Sequence, residues 1–334
     1  MATNIGIDLG TTSVIVYMEG KGVVLREPSA VAYDKTGKLI AVGSRAYAMS
    51  EKAPESIRVV RPLENGVISD FTATRHMVQS FITRICKKAV FKPNVIACVP
   101  SMVTKLERRT LLELITAAGA YKACLIEEPL AAAAGAGLRN DRPKGIMVVD
   151  IGGGTTDIAV ITMGKVAVSK TIQVAGIALD EAIIRQVRRE RCYEIGHKTA
   201  ETIKKRIGSA ILRDVELGLT VKGKKIFNGR PESFEMSSTE TFLAMKQQLD
   251  DIVGAIKAVI EETSPELCGD IIESGIVLTG GGALLKNIDK MIQQKTGIKT
   301  RIAADPVNCV ALGMGEAFIN DGIIDSGDIV YGAV

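Results

Sequence analysis

Two stretches carry residue types that could do chemistry together. Ile146–Asp157 reads Ile-Met-Val-Val-Asp-Ile-Gly-Gly-Gly-Thr-Thr-Asp, and Ile5–Ser13 reads Ile-Gly-Ile-Asp-Leu-Gly-Thr-Thr-Ser. In each, an apolar run rich in β-branched residues delivers an aspartate, Asp150 or Asp8, to a turn of glycine and hydroxyl residues. Gly152, Gly153, Gly154 and Thr155 in one turn, and Gly10, Thr11, Thr12 and Ser13 in the other, let backbone N–H groups approach an anion closely. A carboxylate beside such a turn suits a hydrated divalent cation, so the expected ligand is a metal-bound polyphosphate. Hairpins and bulges also use glycine after a strand. What favours the phosphate reading is the repeat: Asp8 and Asp150 lie 142 positions apart (150 − 8). That distance suggests a duplicated domain in which each half offers one loop to a shared ligand.

The elements that position these residues alternate along the chain. Strands are expected at Val14–Tyr17, Val23–Leu25, Ser29–Tyr33, Leu39–Val42, Asn94–Val99 and Cys124–Ile126. Helical spacing runs over Asp70–Val90, with Phe71, Val78, Phe81, Ile82 and Ile85 on one face. Thr104-Lys105-Leu106-Glu107 is a capping box that opens a helix to about Ala118. Glu127-Glu128-Pro129-Leu130 leads into an Ala-rich helix ending near Ala136. Further helices are expected over Leu179–Arg191, Thr199–Ala210, Thr239–Glu262 and Val310–Phe318. Gly275–Leu285 reads as another strand running into glycines that open a helix. The alternation argues for α/β layers with mainly parallel central sheets.

Composition narrows the classes. The 334 residues are 46% hydrophobic and 24% charged, enough for two sizeable domains. A net charge of +4, aromatics at 4% and no Trp argue against nucleic acid as a partner. The six cysteines are scattered and read as reduced thiols, not as a metal site or disulfide framework. His76 and His197, the only histidines, read as structural, which disfavours His-based metal sites and Ser-His-Asp catalysis. Met1–Asn4 runs straight into the first strand, and no apolar run approaches the roughly 20 residues of a membrane span. A cytoplasmic protein is expected.

Taken in order, several motifs resemble one family. Gly-Ile-Asp-Leu-Gly-Thr near the start, Arg26-Glu27-Pro28-Ser29, Ile126-Glu127-Glu128-Pro129, Val149–Thr156 and Leu278-Thr279-Gly280-Gly281-Gly282-Ala283 are similar to those of the bacterial actin homologues of the MreB/Mbl type. The resemblance covers nearly the whole chain. It implies an actin-like ATPase fold with two duplicated α/β domains around a nucleotide cleft. The first half would be 1–140, with a small subdomain at about 31–68. The second would be 141–305, with a subdomain at about 178–238, and 306–334 would return to the first half. It implies ATP and Mg2+, with Asp8 and Asp150 holding the ion through waters and the two loops gripping the phosphates.

By place in its motif, Glu128 matches the glutamate that orients the attacking water, with Thr155 sensing the terminal phosphate. Glu128 could equally be a helix N-terminal acid favoured by the macrodipole. Glu201 and Lys204 match ribose contacts, and Lys205 belongs to the same helix edge; spacing alone would make them surface ion pairs. Gly280, Gly281, Gly282 and Ala283 would pass close to adenine and the α-phosphate. Lys87-Lys88-Ala89-Val90-Phe91-Lys92-Pro93 sets Val90 and Phe91 in a basic turn. They are either a cap on the preceding helix or, as in the family, a membrane-dipping pair.

The implied function is an ATP-dependent filament, peripheral at the inner face of the membrane, that organises wall synthesis and maintains rod shape. Its partners would be copies of itself, anionic lipid and wall-elongation proteins of the MreC or RodZ type. Two departures stand out: Ala175-Gly176-Ile177 where relatives usually show Gly-Gly-Asp, and Ser101–Lys105 after Pro100. The alternatives are a sugar-type kinase of the same superfold, with Asp157 as base, and a chaperone ATPase, for which nothing follows residue 334 to bind peptide.

Overall fold

The computed structural model describes residues 3–50, 52–87, 91–138, 142–318 and 329–331. Two mixed sheets with the same winding form its frame. In the first, Asn4–Leu9, Ser13–Met18 and Gly22–Pro28 make an antiparallel meander. Asn94–Val99 and Lys122–Glu127 then add in parallel on the far side of Asn4–Leu9, and Ile329–Tyr331 closes the edge. In the second, Ile146–Ile151, Thr156–Thr162 and Lys165–Ile172 repeat the meander, and Ile276–Thr279 and Thr300–Ile302 add in parallel. The expectation of mainly parallel sheets is therefore corrected. Turns as short as those at Gly10–Thr12 and Met163-Gly164 can join only antiparallel neighbours. Met163 (φ 49°) and Gly164 (φ 73°) take the left-handed geometry such a turn requires.

Each sheet is covered on both faces. Met147, Val149 and Ile151 pack into a core shared with the helices Gly176–Gln186 and Ser238–Glu262. Val148, on the opposite face, joins Ala159 and Ile161 in a second core with Ile15, Ile96, Cys98 and Ile126 of the other sheet. Two helices, Glu128–Gly135 and Cys309–Ala317, cross in that shared core. Their approach is close: a Cβ on Gly135 would run into the Cys309 carbonyl, and one on Gly313 into the Ala131 carbonyl.

Helix ends follow local chemistry. Asp70 accepts from Ala73 N–H (2.9 Å) to start Phe71–Ile85, which ends five residues short of the expected Val90. Thr104 and Glu107 form the expected capping box of Lys105–Ala117. The expected helix Leu179–Arg191 begins earlier, at Gly176, and its last turn, Val187–Arg191, widens into a π turn. The helix expected over Thr199–Ala210 runs His197–Ile207. Ser44–Met49 and Pro265–Ser274 are further helices, and small sheets at Val31–Val60 and Tyr193–Ser237 flank the frame.

Candidate functional site: two facing loops over a buried acid cluster

The two glycine turns close in the same way. Gly10 N–H donates to Ser13 O (3.1 Å), and Gly152 N–H donates to Thr155 O (2.9 Å). The turns touch each other. A Cβ on Gly154 would lie 2.6 Å from Thr11 Oγ1, and one on Gly153 would overlap the Thr12 side chain. Glycine at 153 and 154 is therefore a requirement of close approach between loops. Thr11 Oγ1 also accepts from Gly66 N–H (3.0 Å), whose own Cβ position lies 3.5 Å from Thr155 Cγ2. Residues 10–13 and 152–155 thus form one locus.

Behind the loops lies a cluster of carboxylates. Burial pushes the Asp8 carboxyl up to about 7. Asp150 is pushed up to about 7 by burial, then by Asp157 and Asp8. Glu128 is held well above the usual carboxylate range by burial, then by Asp157, Asp8 and Asp150. Asp157 is raised by burial, although hydroxyls of Thr171 (Oγ1 to Oδ1, 2.6 Å) and Thr155 oppose the shift. The Cys98 thiol is also driven well up by burial and then by Asp8, Glu128 and Asp150, which places it beside the same cluster. Asp8 and Glu128 keep partial contact with solvent, as groups lining a cleft do.

These residues suit a divalent cation. Like charges repel in a low-dielectric site, and a divalent cation beside these carboxylates would offset that repulsion. Among the described residues Asp150 Oδ1 is buried with no close hydrogen-bond partner, although the Thr279 hydroxyl opposes the rise of this carboxyl. Gly280, at φ 79°, leaves it room, since a Cβ there would run into Asp150 Oδ1 and Ile151 O. Among the described residues, no three His, Cys, Asp or Glu side chains converge closely enough to hold an ion directly. An ion held here would keep much of its water, as Mg2+ does.

Glu128 opens the helix Glu128–Gly135, with Pro129 in its first turn. The adjacent glutamates divide: Glu127 pairs with Arg108 (3.2 Å), while Glu128 joins the acid cluster.

The nucleoside-side residues are less uniform. Glu201 pairs with Lys205 at 2.6 Å, the arrangement that helical spacing alone predicts. Lys204 reaches Asp180 (2.8 Å) and donates to Gly176 O (2.7 Å), at the edge of the second loop. Of Gly280–Ala283, only Gly281 faces open space; Gly282 packs on Ile151, and Ala283 lies in the core. These residues form a 3-10 turn, Gly281–Leu284, and the helix Ile288–Thr296 begins only after it.

Lys198 Nζ, on the helix His197–Ile207, donates to Tyr47 O (2.8 Å) and Ser50 O (3.2 Å) and sits 4.4 Å above the Tyr47 ring. Sequence reasoning missed Lys198, Asp180 and Cys98, because only tertiary proximity marks them. Phe91 is 64% exposed, and Val90 lies outside the described residues. His76 Nδ1 bonds the Tyr33 hydroxyl (3.0 Å), a structural role as expected.

A description of the family named MreB/Mbl protein matches residues 2–323. The chain belongs to the MreB/Mbl family. The cell shape-determining protein MreB of Escherichia coli is 44% identical over 323 residues, 95% of this chain and 93% of its own length. The cell shape-determining protein Mbl of Bacillus subtilis is 41% identical over 316 residues, 94% of this chain and 95% of its own. MreB5 of Spiroplasma citri bound to ADP superposes with a TM-score of 0.92 at 39% identity, covering 96% of this chain and 98% of that one. The MamK double helical filament, 19% identical with a TM-score of 0.80, shares the fold. The fold is actin-like, as the sequence implied.

Proposed function

We propose that this chain is an ATP-dependent, membrane-associated filament protein that organises wall synthesis and maintains rod shape. The observation that carries the reading is the pair of touching turns, Gly10–Ser13 and Gly152–Thr155, over the buried carboxylates. MreB5 relatives bound to ADP and to AMPPNP support nucleotide as the ligand, and the names of the MreB and Mbl relatives support the role in cell shape.

Phosphoryl transfer is mostly positioning and charge stabilisation, so the site needs no covalent nucleophile. The two turns would present N–H and hydroxyl donors to the phosphates. Asp8 and Asp150 would hold Mg2+, which supplies neutralisation of phosphate charge. Glu128 would orient the attacking water, and Thr155 would report the terminal phosphate to the second turn. Glu201 and Lys205 would edge the nucleoside, with Gly280–Ala283 beside it. A sugar-kinase reading is disfavoured because its base, Asp157, is 3% exposed and already accepts the Thr171 hydroxyl.

Attachment would come from Val90 and Phe91 with Lys87, Lys88 and Lys92. Burying Val and Phe contributes about 1.5–3 kcal/mol each when complete, and each nearby lysine about 1 kcal/mol on anionic lipid. One subunit would bind weakly and a filament by avidity, which couples assembly to attachment. Among the described residues, no helix is long and apolar enough to cross a membrane. Wall-elongation proteins of the MreC or RodZ type would be partners.

Sedimentation with ATP, with ADP and without nucleotide, each with and without anionic vesicles, tests the reading. Pelleting with ATP is expected, and Phe91→Ser should abolish vesicle binding while ATP binding persists. Failure to pellet in every condition, together with phosphorylation of a sugar, would refute it.

A further inference from the structure

The geometry points to Ser29 and the Lys204–Asp180 pair as positioning residues that aim the phosphate loops from behind, by fixing the carbonyls of their peptide planes. In a trans peptide the C=O and the following N–H point in opposite directions, and the described residues contain no cis bonds. Whatever holds a loop carbonyl on one side therefore directs the next N–H to the other.

In the second loop, Gly176 N–H donates to Gly152 O (3.2 Å) and Ile177 N–H donates to Gly153 O (2.8 Å). These donors are the first two amides of the helix Gly176–Gln186, which have no partner within their own helix. The same two peptide planes carry the N–H groups of Gly153 and Gly154, which are thereby turned away from that helix. Lys204 clamps this arrangement: its Nζ donates to Gly176 O (2.7 Å) and pairs with Asp180 (2.8 Å), one turn along the same helix. Both side chains are largely buried, at 14% and 11% exposed.

In the first loop the device is a single side chain. Ser29 is 2% exposed; its Oγ–H donates to Gly10 O (2.6 Å) and its N–H to Thr12 O (3.0 Å). The Gly10 carbonyl is thus held on the Ser29 side, and the Thr11 N–H of the same plane is turned the other way. Thr11 is also the residue that meets Gly154.

The inference rests on the nucleotide reading of these loops and adds a residue-level consequence. A loop that is aimed at phosphates matters to phosphates and not to the nucleoside. A ribose ligand at Lys204 would affect both.

The test is displacement of a fluorescent ATP analogue by ATP and by adenosine from wild type, Ser29→Ala, Lys204→Met and Asp180→Asn. Ser29→Ala and Lys204→Met are expected to weaken ATP about tenfold and to leave adenosine within about twofold. Asp180→Asn, which touches no ligand in either reading, is expected to shift ATP in the same direction by less, and Lys204→Arg to restore most of the loss. If ATP and adenosine weaken together, or if neither weakens, the inference falls while the nucleotide reading stands. If the wild type binds neither, the nucleotide reading itself falls, and the inference with it. Ser29→Ala removes one buried hydroxyl without adding volume, so it keeps the question open to refutation even if Lys204→Met fails to fold.

Discussion

Replacing Asp150 by Asn should stabilise the nucleotide-free protein at alkaline pH, although Asp150 is the residue proposed to help hold the metal. In the folded chain its carboxyl stays protonated up to about pH 7, against an ordinary value of 3.8, because it is buried beside Asp157 and Asp8. Between those values the folded state keeps a proton that the unfolded state has released. Stability therefore falls as pH rises through that interval and levels off above about pH 7. Each unit corresponds to about 1.4 kcal/mol, and a scan from pH 5 to pH 8 crosses roughly two of the three units, which sets a ceiling of about 3 kcal/mol. Water entering an open cleft lowers this, so about 1.5–3 kcal/mol is expected.

The assay is urea denaturation of wild type and Asp150→Asn, with a chelator and no nucleotide, at pH 5 and pH 8. Asn keeps the shape and cannot ionise, so the variant's advantage over wild type should be larger at pH 8 than at pH 5 by that amount. Comparing the two proteins cancels the titration of groups that Asp150 does not influence. Relief of its repulsion on Glu128 adds in the same direction. With Mg2+ and ATP present, the order at pH 8 should reverse, because the wild-type charge then has its counter-ion. Parallel pH curves for the two proteins would refute the acid-cluster account.

Three further outcomes follow from close contacts. Gly153→Val drives a side chain into Thr12 and should weaken ATP roughly ten- to a hundredfold by calorimetry, with partial recovery in the double variant with Thr12→Gly. Gly313→Ala places a methyl against the Ala131 carbonyl where the helices Glu128–Gly135 and Cys309–Ala317 cross. It should cost about 1–3 kcal/mol and lower the calorimetric melting temperature by several degrees. Lys198→Met removes the bonds to Tyr47 O and Ser50 O and should speed release of a fluorescent nucleotide about tenfold in a chase experiment. An unchanged release rate would show that the Lys198 contact does not gate the cleft.

What could be read from the sequence was what local pattern encodes. The strands ending at Asp8 and Asp150, the glycine turns after them and the capping box at Thr104 are each set within a few residues. The mixed sheets were missed because periodicity shows a strand and not the direction of its neighbour. Lys204 was readable as a helix-edge cation, but its partner Asp180 lies on another helix, and nothing in either segment announces the pairing. Cys98 looked like any core thiol until the fold placed it beside three carboxylates. The glycines at 280–282 were readable as close-approach residues. Which neighbour they approach, Asp150 and Ile151 in the case of Gly280 and Gly282, needed the fold.

The duplication itself explains the oddest feature of the sequence. Both turns are built alike, yet a serine side chain holds one from behind and a helix N-terminus holds the other. Ala175-Gly176-Ile177 is the segment that contacts the second loop. The contact is made by the N–H groups of residues 176 and 177, and a backbone donor is indifferent to whether isoleucine or aspartate carries it. What the site needs there is a helix that starts at 176 and a small residue at that position. A Cβ on Gly176 would lie 3.3 Å from Gly152 O and 3.5 Å from Lys204 Nζ, a tight fit against both members of the arrangement.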